Sequence, residues 1–551
     1  MDHKDVDVVV IGSGAGGMAA AVALAQAGKR VLVLEQHYLP GGWCHSFELG
    51  GHHFSPGVHY IGGLEPGGRL REVYEGLGVD LVFHELEPDG FEHLRVGEER
   101  FDIPRGHDET IARYQERFPH EREGIELYFR YMGRAAAELE AVTERVGLLD
   151  HLLLPWRTRN MVRWGMQLLK PYMDRFIDDP LLKAFLSMQA GDYAIAPSSA
   201  PMVLHAAIHA HYMRGAFYPR GGGRSLPKAF IRALRAHGGE IEVRARVSRI
   251  LLEGRTVKGV ELADGTQISA PVVISNADPE VTYGTLIGRE HLPSSLTRKL
   301  ARTQWSTSCL SLFLAADLGE HPEGLDSGNY WYTEHADVDA LYRTSRDLAA
   351  LEGLDHVPGA FVTVPSLKDR TSQRGSIHTV ESFVFVPWEL TARWKDTDPE
   401  NRPADYLDFK ERTLDKMVAV ADKVIPGLAD RLVFRDLGTP LTNRHYIGGH
   451  AGNMYGADHI RSQIGPFAFS SQSPFPGLYL CGASTLSHGV SGATLSGLQA
   501  AAQVLGVRSD TLLTGRGTVT TMLASEVPPN LRSSRAVGER ARAAEAPTHR
   551  G

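Results

Sequence analysis

The opening of the chain constrains it most: an apolar run Val8-Val9-Val10-Ile11, a turn Gly12-Ser13-Gly14-Ala15-Gly16-Gly17, and an alanine-rich stretch from Met18 to Ala27. A second apolar run, Val31-Leu32-Val33-Leu34, then ends on the carboxylate of Glu35. Strand, glycine turn, helix and strand in that order make a βαβ unit suited to a dinucleotide. Gly12 permits the tight turn, Gly14 lets backbone approach a pyrophosphate, and Gly17 lets the helix pack closely on the strand. The helix then presents its positive N-terminus to the phosphates, and Glu35 accepts hydrogen bonds from ribose hydroxyls. Glycines alone would be a weak signal; together with the flanking strands, the helix and the acid they are a specific one.

The segment after Glu35 selects among dinucleotides. Gln36-His37-Tyr38-Leu39-Pro40 leads into a second glycine pair, Gly41-Gly42, a spacing that resembles the FAD-binding segment of glutathione-reductase-like flavoproteins. A second stretch of side-chain-free backbone serves the long, extended FAD; nicotinamide-only dehydrogenases usually lack it.

At 551 residues the chain is long enough for roughly two to four domains. Its net charge of −8 provides no basic field for phosphates, which excludes a nucleic-acid partner. Cys44, Cys309 and Cys481 are widely scattered, which indicates neither a disulfide framework nor a metal site and fits a reducing, cytoplasmic location. Met1-Asp2-His3-Lys4-Asp5 runs into the first strand without a cleavable signal, and no apolar run reaches the ~18 residues of a membrane span. A soluble or peripheral protein is expected.

Two further stretches carry nucleotide-fold character. One holds Tyr218-Pro219-Arg220-Gly221-Gly222-Gly223, an amphipathic helix from Ser225 to His237, a strand from Glu240 to Ile250, and a hairpin turning at Asp264-Gly265 before Val272-Val273-Ile274-Ser275. The other runs Leu478-Tyr479-Leu480-Cys481-Gly482 into a helix opened by Ser491-Gly492. The expected architecture is α/β: a discontinuous Rossmann-type FAD-binding domain (1–64, 216–284 and 436–508) with an inserted α+β substrate domain (65–215 and 285–435). A disordered tail is expected over 525–551. Residues 148–177 mix Trp156, Trp164 and leucines with Arg157, Arg159, Arg163, Lys170 and Arg175. That pattern predicts an interfacial helix making peripheral membrane contact; a core-packed helix with a solvated basic face is the alternative.

Taken together, these pieces resemble the phytoene desaturase superfamily of FAD oxidoreductases, in particular the branch of carotenoid isomerases and retinol saturases. The resemblance runs from Val8 to about Gly506 and rests on the opening fingerprint, Lys29 to His37, Pro40-Gly41-Gly42-Trp43-Cys44-His45-Ser46-Phe47, Pro56 to Gly62, the Tyr218-Pro219 segment and Thr439-Pro440-Leu441-Thr442-Asn443. It implies that Gly12, Gly14 and Gly17 meet the FAD pyrophosphate, with Ala15 and Gly16 of the same turn also binding the cofactor. Glu35 would take the adenosine ribose, with Gln36 beside it also binding the cofactor, Gly41 and Gly42 the pyrophosphate side of the flavin chain, and the Val247 backbone the adenine. Gly482 and the helix start near Val490 would approach the ribityl chain and flavin ring. Many relatives carry an acid directly after the glycine matching Gly482; here Ala483-Ser484 follow, so the Ser484 hydroxyl or backbone amides would serve instead.

With one dinucleotide fingerprint and no second, the flavin would exchange electrons with a diffusing acceptor or donor. The resemblance implies a long apolar lipid substrate, carotenoid- or retinoid-like, undergoing desaturation, saturation or cis-trans isomerisation by hydride transfer at the flavin. The catalytic residue is left open: His45, His59, Tyr60 and His488 are the candidate proton handlers. An amine oxidase or ketolase of the same superfamily, and a prenyl-lipid-binding chaperone resembling Rab GDP dissociation inhibitors, are the other readings.

Overall fold

The structure, a computed structural model, describes residues 6–144 and 158–527. Val8–Ile11 is buried along its whole length, as a strand covered on both faces must be. It lies at the centre of a five-stranded sheet in the order Leu478–Leu480, Val272–Ser275, Val8–Ile11, Val31–Glu35, Glu240–Val243, every pair parallel. The helix Ala15–Gln26 is buried from Gly16 to Ala25, packed against the helices Ser225–Ala236 and Gly489–Leu505. Its small residues allow that fit: a Cβ on Gly497 of the neighbouring helix would stand 1.9 Å from the Gly16 carbonyl.

The strand expected over Glu240 to Ile250 is two strands. Arg244 turns with φ +56°, and the Arg244 and Ala245 amides donate to the carbonyls of His37 and Glu35 at 3.1 and 2.9 Å. Glu240–Val243 therefore stays in the parallel sheet, while Val247–Glu253 pairs antiparallel with Thr256–Leu262. Val260 faces Ile268 across the hairpin, whose Gly265 has φ +88°.

A second, seven-stranded sheet runs Leu432–Gly438, Ser308–Asp317, Ile377–Val386, Gly359–Thr363, Asn329–Thr333, Glu92–Val96, Glu99–Ile103. Only the contact of Asn329–Thr333 with Glu92–Val96 is parallel. One face packs on the helix Ala404–Val424 around Met417, Val420 and Ala421. The other meets helices Arg122–Glu144, Pro180–Ser187 and Met202–Tyr212 through an aromatic core that includes Phe101, Tyr114, Phe129 and Phe185. Late in the chain, Val519–Leu523 pairs in parallel with Leu81–Glu85, and Ala524–Glu526 form a short turn. The rest of the expected disordered tail, 528–551, lies outside the described residues.

The expected interfacial helix over 148–177 is corrected where it can be followed. Residues 145–157 lie outside the described residues; beyond them the chain breaks into the short turns Met161–Gly165 and Leu169–Met173. Trp164 is not on a lipid face: it is buried against Tyr131 at 4.8 Å, with the Arg163 and Arg175 guanidinium groups over its ring. Among the described residues, no helix is long and apolar enough to cross a membrane.

Candidate active site and cofactor cradle

A cavity of about 1910 Å³ opens at the C-terminal ends of the parallel strands, lined there by Ile11, Leu34, Glu35, Asn276 and Cys481. That edge is where open parallel sheets hold ligands. Two helices begin on it. Ala15–Gln26 starts at Gly14 and Gly489–Leu505 starts at His488, and neither has a side-chain cap or an acid in its first turn. Their free N–H groups and positive dipole ends therefore face the cavity, an arrangement that favours a phosphate pair.

Ser13 ties the first glycine turn to the second. Its amide and hydroxyl donate to Glu35 Oε2 at 2.9 and 2.6 Å, and its Oγ accepts from the Gly41 amide at 2.9 Å. Glu35 Oε1 accepts from the His37 amide at 2.8 Å. Gly12, Gly14, Ala15, Gln36, Gly41, Gly42, Val247, Gly482 and Val490 all line the cavity.

Gly16 and Gly17 lie behind this lining, where close packing requires their lack of a side chain. A Cβ on Gly17 would sit 2.1 Å from the Gly12 carbonyl, and one on Gly16 would sit 2.8 Å from the Ala493 carbonyl. Both glycines are set by helix packing. The Asn276 side chain, unassigned from sequence, fills the space between the Gly14, Gly16 and Gly482 backbones: a Gly14 Cβ would come within 2.7 Å of its Nδ2. Its signal was its place, directly after the buried strand Val272–Ser275. Ser484 lines the cavity, and its Oγ accepts from the Ala457 amide at 3.0 Å.

The candidate proton handlers separate. His45 does not line the cavity; its Nδ1 lies 2.6 Å from the Gly42 carbonyl, and burial pulls its pKa down to about 4, which favours the neutral ring. His59, Tyr60 and His488 do line it. His59 sits 3.4 Å from the buried Glu381 carboxylate, and its own carbonyl accepts 2.6 Å from Nζ of Lys368. His488 Nδ1 is 3.2 Å from His459 Nδ1. Burial lowers the pKa of both rings, that of His459 to about 4, so neither is charged at neutral pH.

Tyr60 makes the densest contacts. Its hydroxyl lies 2.7 and 2.8 Å from the two carboxyl oxygens of Asp192 and also touches Glu92, while its ring stacks on Tyr212 at 4.1 Å. Trp331 Nε1 donates to Glu92 at 3.1 Å. Burial, and then the like charge of Glu92, raise the Asp192 pKa well above its ordinary value; Glu92 is raised as well, chiefly by burial. Asp192, Glu92 and Lys368 escaped the sequence reading because nothing local marks them; they meet only through the tertiary fold.

The family model described as flavin containing amine oxidoreductase matches residues 15–347 and 437–505. This chain belongs to that family. All-trans-retinol 13,14-reductase of Danio rerio is 32% identical over 527 residues, covering 91% of this chain and 86% of its own length. The chloroplastic prolycopene isomerase of Daucus carota is 27% identical over 466 residues, covering 82% of this chain and 71% of its own. An oxidoreductase of Methanosarcina mazei shares the fold at a TM-score of 0.60 and 18% identity, over 90% of this chain and 99% of that one. Within the flavin-containing family, the chain therefore falls in the phytoene desaturase, carotenoid isomerase and retinol saturase superfamily, and it is an FAD-dependent oxidoreductase.

The cradle fits FAD. Gly12, Gly14 and the two uncapped helix starts suit its pyrophosphate, Glu35 and Gln36 its ribose, and Gly482 with Val490 the ribityl and ring end. Bound FAD supplies a hydride acceptor when oxidised and a hydride donor when reduced.

Proposed function

We propose that this protein acts on the C=C or C–C bonds of a polyene or another long apolar lipid, carotenoid- or retinoid-like, by saturation, desaturation or cis-trans isomerisation. The observation that carries the reading is the cavity. At about 1910 Å³ it is roughly twice the ~1,000 Å³ upper end for a single small-molecule site, so it can hold a cofactor and a long second ligand together. Away from the cradle its lining includes an apolar stretch of Leu139, Met161, Met166, Val203, Leu204 and Ile208, which would recognise a ligand by burial. The named activities of the fish and carrot relatives support the same substrate class.

The amine oxidase reading draws no support from the acids of this cavity. A cationic substrate needs a formal negative charge, and burial and then the like charge of Glu92 raise the Asp192 pKa well above its ordinary value, which disfavours a charge there. The remaining residues have plain tasks. Phe361 and Phe383 pack on the His59 ring at 5.0 and 5.6 Å and exclude water, and the apolar walls place one bond of the chain. Segments 1–64, 216–284 and 436–508 would form the cofactor domain and the rest the lipid-binding domain, with a small diffusing electron donor or acceptor completing turnover.

A lipid of this kind is delivered from a membrane. The exposed Phe467 and Leu486 lie at the cavity mouth, and Val162, Arg159 and Arg163 stand exposed beside Met161. This surface replaces the amphipathic helix as the candidate for peripheral contact.

The decisive experiment is lipid mass spectrometry of a polyene-producing host expressing the protein or its Gly14→Val variant. A product dependent on the wild type is expected: heavier by two hydrogens for saturation, lighter by two for desaturation, or of equal mass and shifted retention for isomerisation. No change in any lipid would overturn the reading.

A further inference from the structure

Tyr60 brings one proton to a site where three carboxyl oxygens from two residues surround its hydroxyl: both oxygens of Asp192 and one of Glu92. One hydroxyl proton satisfies one of those contacts. The hydroxyl's lone pairs can face the second carboxyl only if that carboxyl brings a proton of its own. Two adjacent ionised carboxylates, both buried, would also repel strongly. The donor inventory therefore requires an extra proton on the Asp192–Glu92 pair.

Position gives that proton a use. Asp192 and Tyr60 line the cavity that also receives Gly482 and His488 from the flavin end of the cradle; Glu92 sits behind them, fully buried. Asp192 closes the short helical turn Met188–Asp192, held by Gly191 packing directly on the Trp331 ring, where a Cβ would stand 2.1 Å from the ring carbons. Burial lowers the pKa of the neighbouring imidazoles His59, His459 and His488, and Lys368 is outside the lining.

We propose that Asp192 is the catalytic acid of this site, sharing one proton with Glu92 across the Tyr60 hydroxyl, and that Glu92 is the positioning residue that keeps this proton in place. The inference rests on the polyene reading above. Saturation breaks one π bond and forms two C–H bonds. Bound FAD, once reduced by a two-electron donor, would supply the hydride with its electron pair, and Asp192 would pass its proton to the adjacent carbon. Asp192 is left as the carboxylate, stabilised by Tyr60, and regains its proton from solvent.

The test pairs infrared spectroscopy with turnover on the full-length protein. Difference spectra against the double variant Asp192→Asn/Glu92→Gln are expected to show a protonated-carboxyl C=O band at neutral pH that shifts in D₂O. In Asp192→Asn or Glu92→Gln alone the band should titrate at lower pH, because the neighbouring like charge is gone; an unmoved midpoint would show that the two carboxyls do not share the proton. With dithionite-reduced protein and all-trans-retinol as probe, Asp192→Asn should lose at least ~100-fold in the rate of saturation while keeping its flavin content. Absence of the band in the wild type, or wild-type turnover by Asp192→Asn, overturns the proposal. A wild type with the band but no turnover of any polyene supports the proton store and sinks the substrate reading instead.

Discussion

The five-stranded parallel sheet and the seven-stranded mixed sheet serve the same cavity by opposite means. The first offers backbone: glycines, free helix N–H groups and the Ser13–Glu35–Gly41 hydrogen bonds. The second offers ionisable side chains, Glu92 from one strand and Glu381 from another, joined by Lys368 and Asp192 from the loops and short turns around it. A backbone site demands small residues at fixed spacing and so leaves a motif. A side-chain site needs only that a few groups arrive at one place, and it leaves none.

The largest effect should come from breaking the backbone side. Gly17→Val places a side chain where even a Cβ would lie 2.1 Å from the Gly12 carbonyl. Neither backbone can yield, and a loss above ~4 kcal/mol is expected, seen as loss of soluble, flavin-loaded protein. Recovery of a yellow protein with unchanged melting temperature would show that the two backbones are not in contact.

On the other sheet, Lys368→Ala should cost about 3–5 kcal/mol. Nζ of Lys368 donates to the His59 carbonyl and to Asn329, with Glu381 and Glu92 nearby. Burial pulls its pKa down to about 7, so its hydrogen bonds as much as its charge hold the cluster. Urea unfolding measures the loss, and Lys368→Met, which keeps the volume, separates the cavity from the missing bonds.

His93 sharpens the comparison from within one strand. Glu92 points inward, while His93 on the opposite face lies 2.7 Å from Asp102 and 3.0 Å from Asp326. Burial lowers the His93 pKa, but the two carboxylates outweigh it and raise the value to about 9. A pKa raised in the folded state gives stability that is complete below the unfolded value near 6.5 and is lost as pH rises through about 9. A decline of about 2–3 kcal/mol across that window is expected in the free energy of unfolding, and His93→Gln should flatten it.

The smallest effect is expected at Ser13→Ala, about 1–2 kcal/mol. It removes the hydroxyl that donates to Glu35 and accepts from Gly41. Calorimetry should register a modest loss of stability and weaker FAD binding; unchanged FAD affinity would mean that the two glycine turns hold their positions without it.

How much of this was legible follows the same division. The strands Val8–Ile11 and Val31–Glu35 and the helix between them stand where their apolar runs and glycines put them, because neighbours in sequence decide such a unit. The break at Arg244 was not legible: it depends on the His37 and Glu35 carbonyls capturing the Arg244 and Ala245 amides. Trp164 read as a lipid anchor because one sequence cannot say whether an aromatic next to arginines faces solvent or Tyr131.

By itself the sequence determined the dinucleotide cradle, the FAD character and the superfamily, since local steric and dipolar demands write these into contiguous residues. Only the tertiary structure decided that His45 meets the Gly42 carbonyl outside the cavity lining, that Asn276 fills the glycine turn, and that Tyr60 meets Glu92 and Asp192. The physical reason is range. Glycine turns are fixed by atoms a few bonds apart, whereas the proton held at Asp192 exists only because burial and a second carboxyl, distant in sequence, act on it at once.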